Sequence, residues 1–229
     1  MPEKRYLFTP GPTPVPPEVL EAMSRPIIHH RSSDFRGIFE RCLARLSQVY
    51  RTESDVLVYT ASGTGGMESA ISNLTRPGDR VLVVSAGHFG ERWIAMARNF
   101  GCEVDELTYE WGESPAAEDL VQRLKELGGA KVVFTTHSET STGVVADVQG
   151  LAAAAKNAGA LVVVDAVSSL GAVPVETDSW GLDAVISGSQ KALMTPPGLA
   201  TVSVSSDAWA AVEEGAASRY YFEIGRAHV

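Results

Sequence analysis

Lys191 has surroundings that would let a lysine do covalent chemistry. It follows the small and polar residues 187–190, Ser-Gly-Ser-Gln, which come after an apolar run at 184–186. A lysine after a strand is most often a solvated surface residue, but a loop of small residues gives a ligand close access. A lysine desolvated in such a loop has a lowered pKa, and its amine can form a Schiff base with a carbonyl group. Lys191 is therefore a candidate nucleophile.

Asp165 is a second candidate, because its carboxylate ends the apolar run 161–164. An unpaired charge at the edge of a hydrophobic strand is costly, so this carboxylate needs a cationic partner. One interpretation is the magnesium ion of a nucleotide hydrolase, but that reading requires a P-loop that the sequence lacks. The alternative partner is a protonated pyridinium nitrogen, which a buried carboxylate would keep charged.

The glycine-rich segment 62–66, Ser-Gly-Thr-Gly-Gly, lies between an apolar run and a helix-like segment. Its amides and hydroxyls could converge on an anion such as a phosphate, which would also interact with the helix dipole. Glu68 holds the place of the third glycine of a dinucleotide-binding fingerprint, and no Gly-Lys-Ser/Thr follows as in a P-loop. Taken alone, the segment is equally compatible with a plain glycine-rich turn.

Three histidines, His29, His30 and His137, raise the question of a metal site. None of them forms an i, i+4 pair with a carboxylate partner on a recognisable helix, which is a common zinc-binding arrangement. We therefore expect no metal.

The elements that position these residues follow from an alternation of apolar runs and helix-like segments. The runs lie at 56–59, 81–84, 132–134, 161–164, 184–186 and 199–204, and the helix-like segments at 67–74, 92–100 and 148–157. Strands that are apolar on both faces and separated by helices predict a three-layer α/β/α fold with a mostly parallel sheet. Ligands of such sheets bind at the carboxyl ends of the strands. The segments that would meet there are 61–66, 85–90, 137–143, 165–167 and 187–191.

Composition and net charge indicate which classes of partner the protein can have. The 229 residues carry 19 Lys and Arg against 28 Asp and Glu, a net charge of -9, without a basic stripe, so we expect a small-molecule substrate and no nucleic acid. No apolar run reaches the length of a membrane span and no hydrophobic leader core opens the sequence, so we expect no membrane and a cytoplasmic location. Cys42 and Cys102 have neither disulfide nor metal-site spacing, and we expect two core thiols in a reducing compartment.

Six motifs follow one another along the chain. They are Phe-Thr-Pro-Gly-Pro at 8–12, Ser-Gly-Thr at 62–64, Phe-Gly-Glu-Arg at 89–92, Glu-Thr-Ser-Thr-Gly-Val at 139–144, Val-Asp-Ala-Val-Ser-Ser-Leu-Gly at 164–171 and Ser-Gly-Ser-Gln-Lys-Ala-Leu at 187–193. In this order they resemble the class V aminotransferases of fold type I, in particular the alanine–glyoxylate, serine–pyruvate and serine–glyoxylate group. The resemblance implies the large domain of that fold and the cofactor pyridoxal 5′-phosphate (PLP).

The same resemblance implies a role for each site residue. Lys191 binds PLP covalently and, once substrate displaces it, moves a proton between the substrate α-carbon and C4′ of the cofactor. Asp165 pairs with the pyridinium nitrogen. The other implied contacts are Ser62, Gly63, Thr64 and Gln190 with the phosphate, Phe89 and Val167 with the two ring faces, Thr140 with the ring hydroxyl side, and Pro10 and Gly11 with the substrate. Phe89 occupies a position that is often Trp in the family.

The activity implied by the resemblance is transamination, in which alanine or serine donates an amino group that glyoxylate or pyruvate accepts. A full-length homodimer is implied as well. Two alternatives stay open: a class V transaminase for another amine, such as an aminophosphonate or a ureido amino acid, and a non-catalytic subunit or fragment that keeps the fold. A cysteine desulfurase is disfavoured, because neither Cys42 nor Cys102 lies near the motifs.

The domain organisation implied is an N-terminal arm at 1–20, a PLP-binding large domain at 21–222 and a tail at 223–229. The proline-rich stretch 8–17 favours an arm or loop, because prolines remove amide donors. We interpret 223–229, Glu-Ile-Gly-Arg-Ala-His-Val, as a non-native tail read from adapter DNA. The family's small C-terminal domain, with its substrate-binding arginine, is absent, so we expect the fragment to be impaired.

Overall fold

The computed structural model describes residues 7–214 and 219–224, which form a seven-stranded sheet, a two-stranded ribbon and seven α-helices. The sheet contains β1 (Asp55–Thr60), β2 (Arg80–Ser85), β3 (Glu103–Thr108), β4 (Val132–Thr136), β7 (Leu161–Asp165), β8 (Ala184–Gly188) and β9 (Leu199–Val204). The ribbon pairs β5 (Ser138–Glu139) with β6 (Val144–Val145). The helices are α1 (Pro17–Met23), α2 (Ser33–Tyr50), α3 (Gly63–Leu74), α4 (His88–Asn99), α5 (Ala117–Leu127), α6 (Val148–Asn157) and α7 (Ser206–Glu213).

The sheet is mostly parallel, as predicted. Its strand order is β1-β9-β8-β7-β4-β2-β3, and only β9 runs antiparallel to its neighbours. The central strands β4 and β8 are buried at every position, because helices cover both faces of the sheet. Because every strand of the sheet except β9 runs in the same direction, these strands have their carboxyl ends at one edge of the sheet.

Two hydrophobic clusters, one on each face of the sheet, confirm the three layers. On one face, Trp93 of α4 stacks on Phe134 of β4 with ring centroids 4.8 Å apart. On the other face, Leu120 of α5 and Leu151 of α6 pack with Val162 of β7. Full burial of each such side chain contributes roughly 1.5–3 kcal/mol to folding, so both helical layers are needed to keep the sheet out of water.

The predicted helix at 148–157 has the bounds of α6, whereas α3 and α4 begin earlier than the segments predicted at 67–74 and 92–100. The first turns of these two helices contain Gly63, Gly65, Gly66 and Gly90, and glycine has a low helix propensity. The apolar periodicity therefore starts later than the helix does.

The expectation of two core thiols holds for Cys102, which is buried, and is wrong for Cys42, which is exposed. Cys42 lies on α2 and lines an open groove of about 1160 Å³ together with residues such as Ile38 and Leu193. Helix α1 and strands β1 and β9 contribute other residues to this open groove, in which the thiol is accessible.

The boundaries 1–20, 21–222 and 223–229 stay predictions, and residues 1–6 and 225–229 lie outside the described ranges. Helix α1 begins at Pro17, a position near the start of a helix where proline's missing amide costs nothing. Ile224 is buried, and its amide donates to Asn73 Oδ1 at 3.1 Å. Among the described helices, none is both long enough and apolar enough to span a bilayer.

Candidate active site at the carboxyl edge of the sheet

Five loops with polar residues meet where the parallel strands end. Strands β1, β2, β4, β7 and β8 point in one direction, so the segments that follow them open onto the same edge. These segments contain all the candidate residues except Pro10 and Gly11, which come from the N-terminal arm.

Lys191 is half-buried in the loop after β8, against the N-terminal arm. The Thr13 amide donates to the Gln190 carbonyl at 2.9 Å, and the Thr13 hydroxyl donates to the Lys191 carbonyl at 2.9 Å. A Cβ added to Gly11 would overlap the Lys191 side chain and lie 2.8 Å from Nζ, so glycine leaves the room that the amine occupies. Pro10 precedes it at an exposed position.

The pKa of Lys191 is lowered, chiefly because burial penalises the ammonium form. The positive charge of Arg92 lowers this pKa further, while the Asp165 carboxylate opposes the shift. Lys191 and Asp165 each affect the pKa of the other through their charges, and a lowered pKa makes the neutral, nucleophilic amine of Lys191 more accessible.

Asp165 ends β7 with only 3% of its surface exposed. Burial raises its pKa to about 6, and the nearby charge of Glu139 adds to the increase. Against this act the hydrogen bond from the Val167 amide to Oδ1 at 2.8 Å and the charges of Arg92 and Lys191. Within the described ranges no cation lies at salt-bridge distance from Asp165, so its carboxylate is buried without a direct counter-ion.

The amino end of α3 holds three predicted residues, Ser62, Gly63 and Thr64. Ser62 is the N-cap, but its side chain makes no capping hydrogen bond, so the first amides of the helix are available to an anion. A Cβ on Gly63 would lie 2.6 Å from Cγ2 of Val167, so the absence of a side chain lets the helix closely approach Val167, two residues after Asp165.

Gln190 lies on the other side of Val167. A Cβ on Gly188 would lie 3.1 Å from Gln190 Oε1 and 3.5 Å from Val167 Cγ1. Among the described residues, the buried Oε1 atom has no hydrogen-bond partner. A buried amide without a partner is unusual in a folded protein and indicates a missing polar ligand.

Phe89 lies in the first turn of α4, where a buried carboxylate holds the backbone. Glu139 accepts hydrogen bonds from the amides of Phe89 and Gly90, each at 3.1 Å, and from the Ser141 hydroxyl at 2.6 Å. A Cβ on Gly87 would come within 2.7 Å of the Glu139 side chain. Glu139 therefore fixes the backbone that carries the Phe89 ring.

Arg92 approaches the site one turn further along α4. Its guanidinium carbon lies 4.7 Å from the centre of the Phe89 ring, and Nη1 donates to the Thr64 hydroxyl at 2.8 Å. Thr140 lies across the site, with its hydroxyl 2.5 Å from that of Ser168.

The structure brings together nine of the eleven predicted residues through these contacts, while Ser62 and Pro10 join them only as the chain neighbours of Gly63 and Gly11. Sequence reasoning gave no role to Glu139 or Arg92, although both stand inside quoted motifs. A buried Glu in a hydroxyl-rich loop and an Arg one turn after a predicted ring-stacking residue were the available signals.

The chain matches the sequence model of the family described as "Aminotransferase class-V" over residues 5–218. It is 45% identical to the "Soluble hydrogenase 42 kDa subunit" of Anabaena cylindrica, covering 99% of this chain and 60% of the relative. It is 39% identical to the "L-aspartate--glyoxylate aminotransferase" of Paracoccus denitrificans (98% and 58%) and 39% identical to the "Serine--glyoxylate aminotransferase" of Methylorubrum extorquens (93% and 54%). The chain thus spans about 60% of the length of the first of these relatives.

Solved structures agree with the fold. The subgroup IV aspartate aminotransferase of Thermus thermophilus superposes with a TM-score of 0.89 at 40% identity, covering 97% of this chain and 62% of that one. The ureidoglycine–glyoxylate aminotransferase of Bacillus subtilis gives 0.92 at 29% identity (98% and 59%). The alanine–glyoxylate aminotransferase of Nostoc sp. gives 0.93 at 32% identity (98% and 61%).

PLP is the cofactor of this family, and the residues at the sheet edge are chemically suited to it. A lysine with a lowered pKa suits the aldehyde, and a buried carboxylate without a counter-ion suits a protonated ring nitrogen. The uncapped amino end of α3 suits a phosphate, and the Gln190 amide would suit one with its NH₂ group turned to the site. The family match, the relatives and the fold type I architecture agree: this chain belongs to the PLP-dependent class V aminotransferases.

Proposed function

We propose that the whole protein is a transaminase that moves an amino group from alanine or serine to glyoxylate or pyruvate. The observation that carries the proposal is the pair Lys191 and Asp165, whose pKa values are shifted towards the neutral forms at one edge of the sheet. Perturbed ionisable groups that share a site are typical of catalytic centres.

Lys191 and Asp165 have separate tasks in this proposal. Bound PLP supplies an aldehyde and an electron-withdrawing ring that can hold the electrons left when the substrate loses its α-proton. Lys191 would hold the cofactor through its amine and, when released, would carry the proton to and from the substrate α-carbon. Asp165 stays ionised once a cation sits beside it and keeps the ring nitrogen protonated, because a buried carboxylate favours a nearby positive charge.

The remaining predicted residues bind and orient. We assign Ser62, Gly63, Thr64 and Gln190 to the phosphate, Phe89 and Val167 to the two ring faces, Thr140 to the ring hydroxyl side, and Pro10 with Gly11 to the substrate. The uncapped helix end and the close approach of Gly63 to Val167 support this arrangement.

The choice of donor and acceptor rests on the relatives. Those described above are named for aspartate, serine, alanine and ureidoglycine as donors, with glyoxylate as the recurring acceptor. We also propose a homodimer in the full-length protein and a cytoplasmic location, which the two unpaired cysteines support. Since the chain spans about 60% of its relatives' length, we expect slow turnover from this chain alone.

Two other functions each have one observation in their favour. A ureido amino acid is the donor named for one structural neighbour, the ureidoglycine–glyoxylate aminotransferase with a TM-score of 0.92, although the alanine–glyoxylate enzyme superposes equally well. The 45% identity to a protein named as a hydrogenase subunit favours a non-catalytic subunit that keeps the fold. The presence of both Lys191 and Asp165 supports the catalytic proposal over this last one.

An absorbance titration with PLP tests the proposal. The chain should develop the visible band of a protonated Schiff base, which Lys191→Ala abolishes and Lys125→Ala, at an exposed site on α5, retains. Adding serine, alanine, aspartate or ureidoglycine should then bleach the band as the amino group moves to the cofactor. An identical band in Lys191→Ala would remove Lys191 from its role, and a band that no amine bleaches would favour the non-catalytic subunit.

A further inference from the structure

Arg92 is a half-buried cation at the site without a carboxylate partner. Among residues 7–214 and 219–224, no carboxylate lies at salt-bridge distance from its guanidinium, whereas Arg98 on the same helix pairs with Glu106. A guanidinium has five N–H donors in a planar fork that matches the oxygens of a phosphate or carboxylate. The N–H groups of Arg92 that contact neither Thr64 nor His88 are therefore available to an anionic ligand.

The direction of Arg92 is set by Thr64. Its Nη1 donates to the Thr64 hydroxyl at 2.8 Å, and its Nη2 lies 3.4 Å from His88 Nε2. Thr64 belongs to the first turn of α3, whose amides have no capping side chain. An anion that accepts from this turn therefore lies within reach of the Arg92 guanidinium, and the helix dipole adds to the attraction.

A second polar group, the side-chain amide of Gln190, also lies near the amino end of α3. The positions where Gly63 and Gly188 would carry a Cβ both touch Val167, and the Gly188 position also touches the buried Gln190 amide. A half rotation of that amide exchanges its oxygen for its NH₂ group, which can donate to an anion. With the amide rotated, α3 and the Lys191 loop would each supply donors beside Val167, and Arg92 joins α3 through Thr64.

We propose that Arg92 binds the phosphate group of PLP, an assignment that rests on the proposed function and adds a fixed positive charge to the amides and hydroxyls of 62–64. A substrate carboxylate is the competing anion. The shared contact with Thr64 favours the phosphate, because it directs Arg92 to the amino end of α3.

Comparing PLP with pyridoxal, which lacks the phosphate, tests the assignment. Arg92→Gln should weaken PLP binding about 10- to 100-fold, the usual range for a charge-assisted hydrogen bond, and leave pyridoxal binding within about two-fold. Arg92→Lys should give a smaller loss, since it keeps the charge without the fork. Arg98→Gln removes the same charge from the same helix and should change neither affinity.

Three results would overturn the assignment. Equal losses for PLP and pyridoxal in Arg92→Gln would mean that Arg92 acts through the Phe89 ring that it contacts. Unchanged PLP affinity would mean that Arg92 does not bind the phosphate. If succinate, a dicarboxylate that resembles a substrate, changes the absorbance of the PLP-bound unaltered chain but not that of Arg92→Gln, and PLP affinity is unchanged, Arg92 binds a substrate carboxylate instead. Thermal unfolding of each variant shows that it is folded, and Arg92→Lys carries the comparison if Arg92→Gln is not.

Inorganic phosphate separates failure of this inference from failure of the proposed function. Phosphate should raise the unfolding temperature of the unaltered chain and of Arg98→Gln, but not that of Arg92→Gln. If the unaltered chain forms no Lys191-dependent band, the proposed function fails, whatever the phosphate result. If the band forms and phosphate protects Arg92→Gln as well, only the role of Arg92 is lost.

Discussion

Two buried aspartates at opposite edges of the sheet have very different surroundings. Asp183, just before β8, is 2% exposed and bonds Lys156 Nζ at 3.0 and 3.1 Å, the Val162 amide at 2.7 Å and the Ser205 hydroxyl at 2.9 Å. Asp165, at the end of the adjacent strand, is 3% exposed, and among the described residues its carboxylate accepts one hydrogen bond, from the Val167 amide.

Two equally buried carboxylates therefore have different roles in this protein. A buried carboxylate that is surrounded by donors joins segments of the fold, here β7, α6 and the start of α7. A buried carboxylate with one donor and no adjacent cation is held at a cost in folding free energy that a cationic ligand can offset. The comparison supports a structural role for Asp183 at the amino edge and the proposed cofactor-binding role of Asp165 at the carboxyl edge.

The largest difference should appear in the reaction. Asp165→Asn should slow single-turnover transfer of an amino group to bound PLP by about 10²–10³-fold, because the neutral amide cannot stabilise a protonated ring nitrogen. Asp183→Asn should leave this rate nearly unchanged per folded molecule. Stopped-flow absorbance after mixing with serine measures both. Similar rates for the two variants would break the comparison and remove Asp165 from catalysis.

The second difference should appear in the free energy of unfolding. Asp183→Asn should lower it by about 2–3 kcal/mol, because the Lys156 ammonium loses its buried counter-charge and the buried Val162 amide its charged acceptor, although Lys156 keeps Asp207. Asp207→Asn, at a position 65% exposed, is the matched control and should change it by less than about 1 kcal/mol. Urea denaturation measures each value, and equal losses would show that burial is not the deciding factor.

The smallest difference should appear in the way the stability of the cofactor-free chain depends on pH. The pKa of Asp165 is about 6 in the folded chain against 3.8 as its ordinary value, so between these limits the folded state binds more protons than the unfolded state. Stability of the cofactor-free chain should therefore fall as pH rises from about 4 to about 6, by on the order of 2 kcal/mol from this group. Below about pH 4 the loss is absent, and above about pH 6 it is complete.

Asp165→Asn isolates this contribution from other groups that titrate in the same range. The variant should lack the loss, so its advantage over the unaltered chain should grow between pH 4 and 6 and then stay constant. Urea denaturation at four or five pH values gives both curves. Parallel curves would mean that Asp165 titrates normally and that its burial is relieved by a partner.

Much of the carboxyl edge of the sheet could be predicted from the sequence, because the relevant sequence signals are local. The run 161–164 followed by Asp165, and the run 184–186 followed by Lys191, are visible without any long-range information. Strand β3 was missed because it lies at the sheet edge, contains Glu103, Asp105 and Glu106, and lacks the apolar character of the central strands.

Long-range contacts were the part that the sequence could not reveal. Nothing in the pattern of 199–204 indicates that β9 runs antiparallel and separates β1 from β8. The roles of Glu139 and Arg92 depend on contacts with a helix or loop about 50 or 28 residues away in the chain. Such pairings are set by packing of the whole domain, which one sequence does not display.

The place of β1 beside β9 also affects how the chain is made. β1 cannot pair with its neighbour in the sheet until β9 has left the ribosome, and Thr13 cannot bind the carbonyls of Gln190 and Lys191 before then. Contacts between such distant segments slow folding and leave the nascent β1 edge open to wrong partners. The pocket that these segments enclose can therefore form only after β9 has been made, and chaperones have most to protect before that moment.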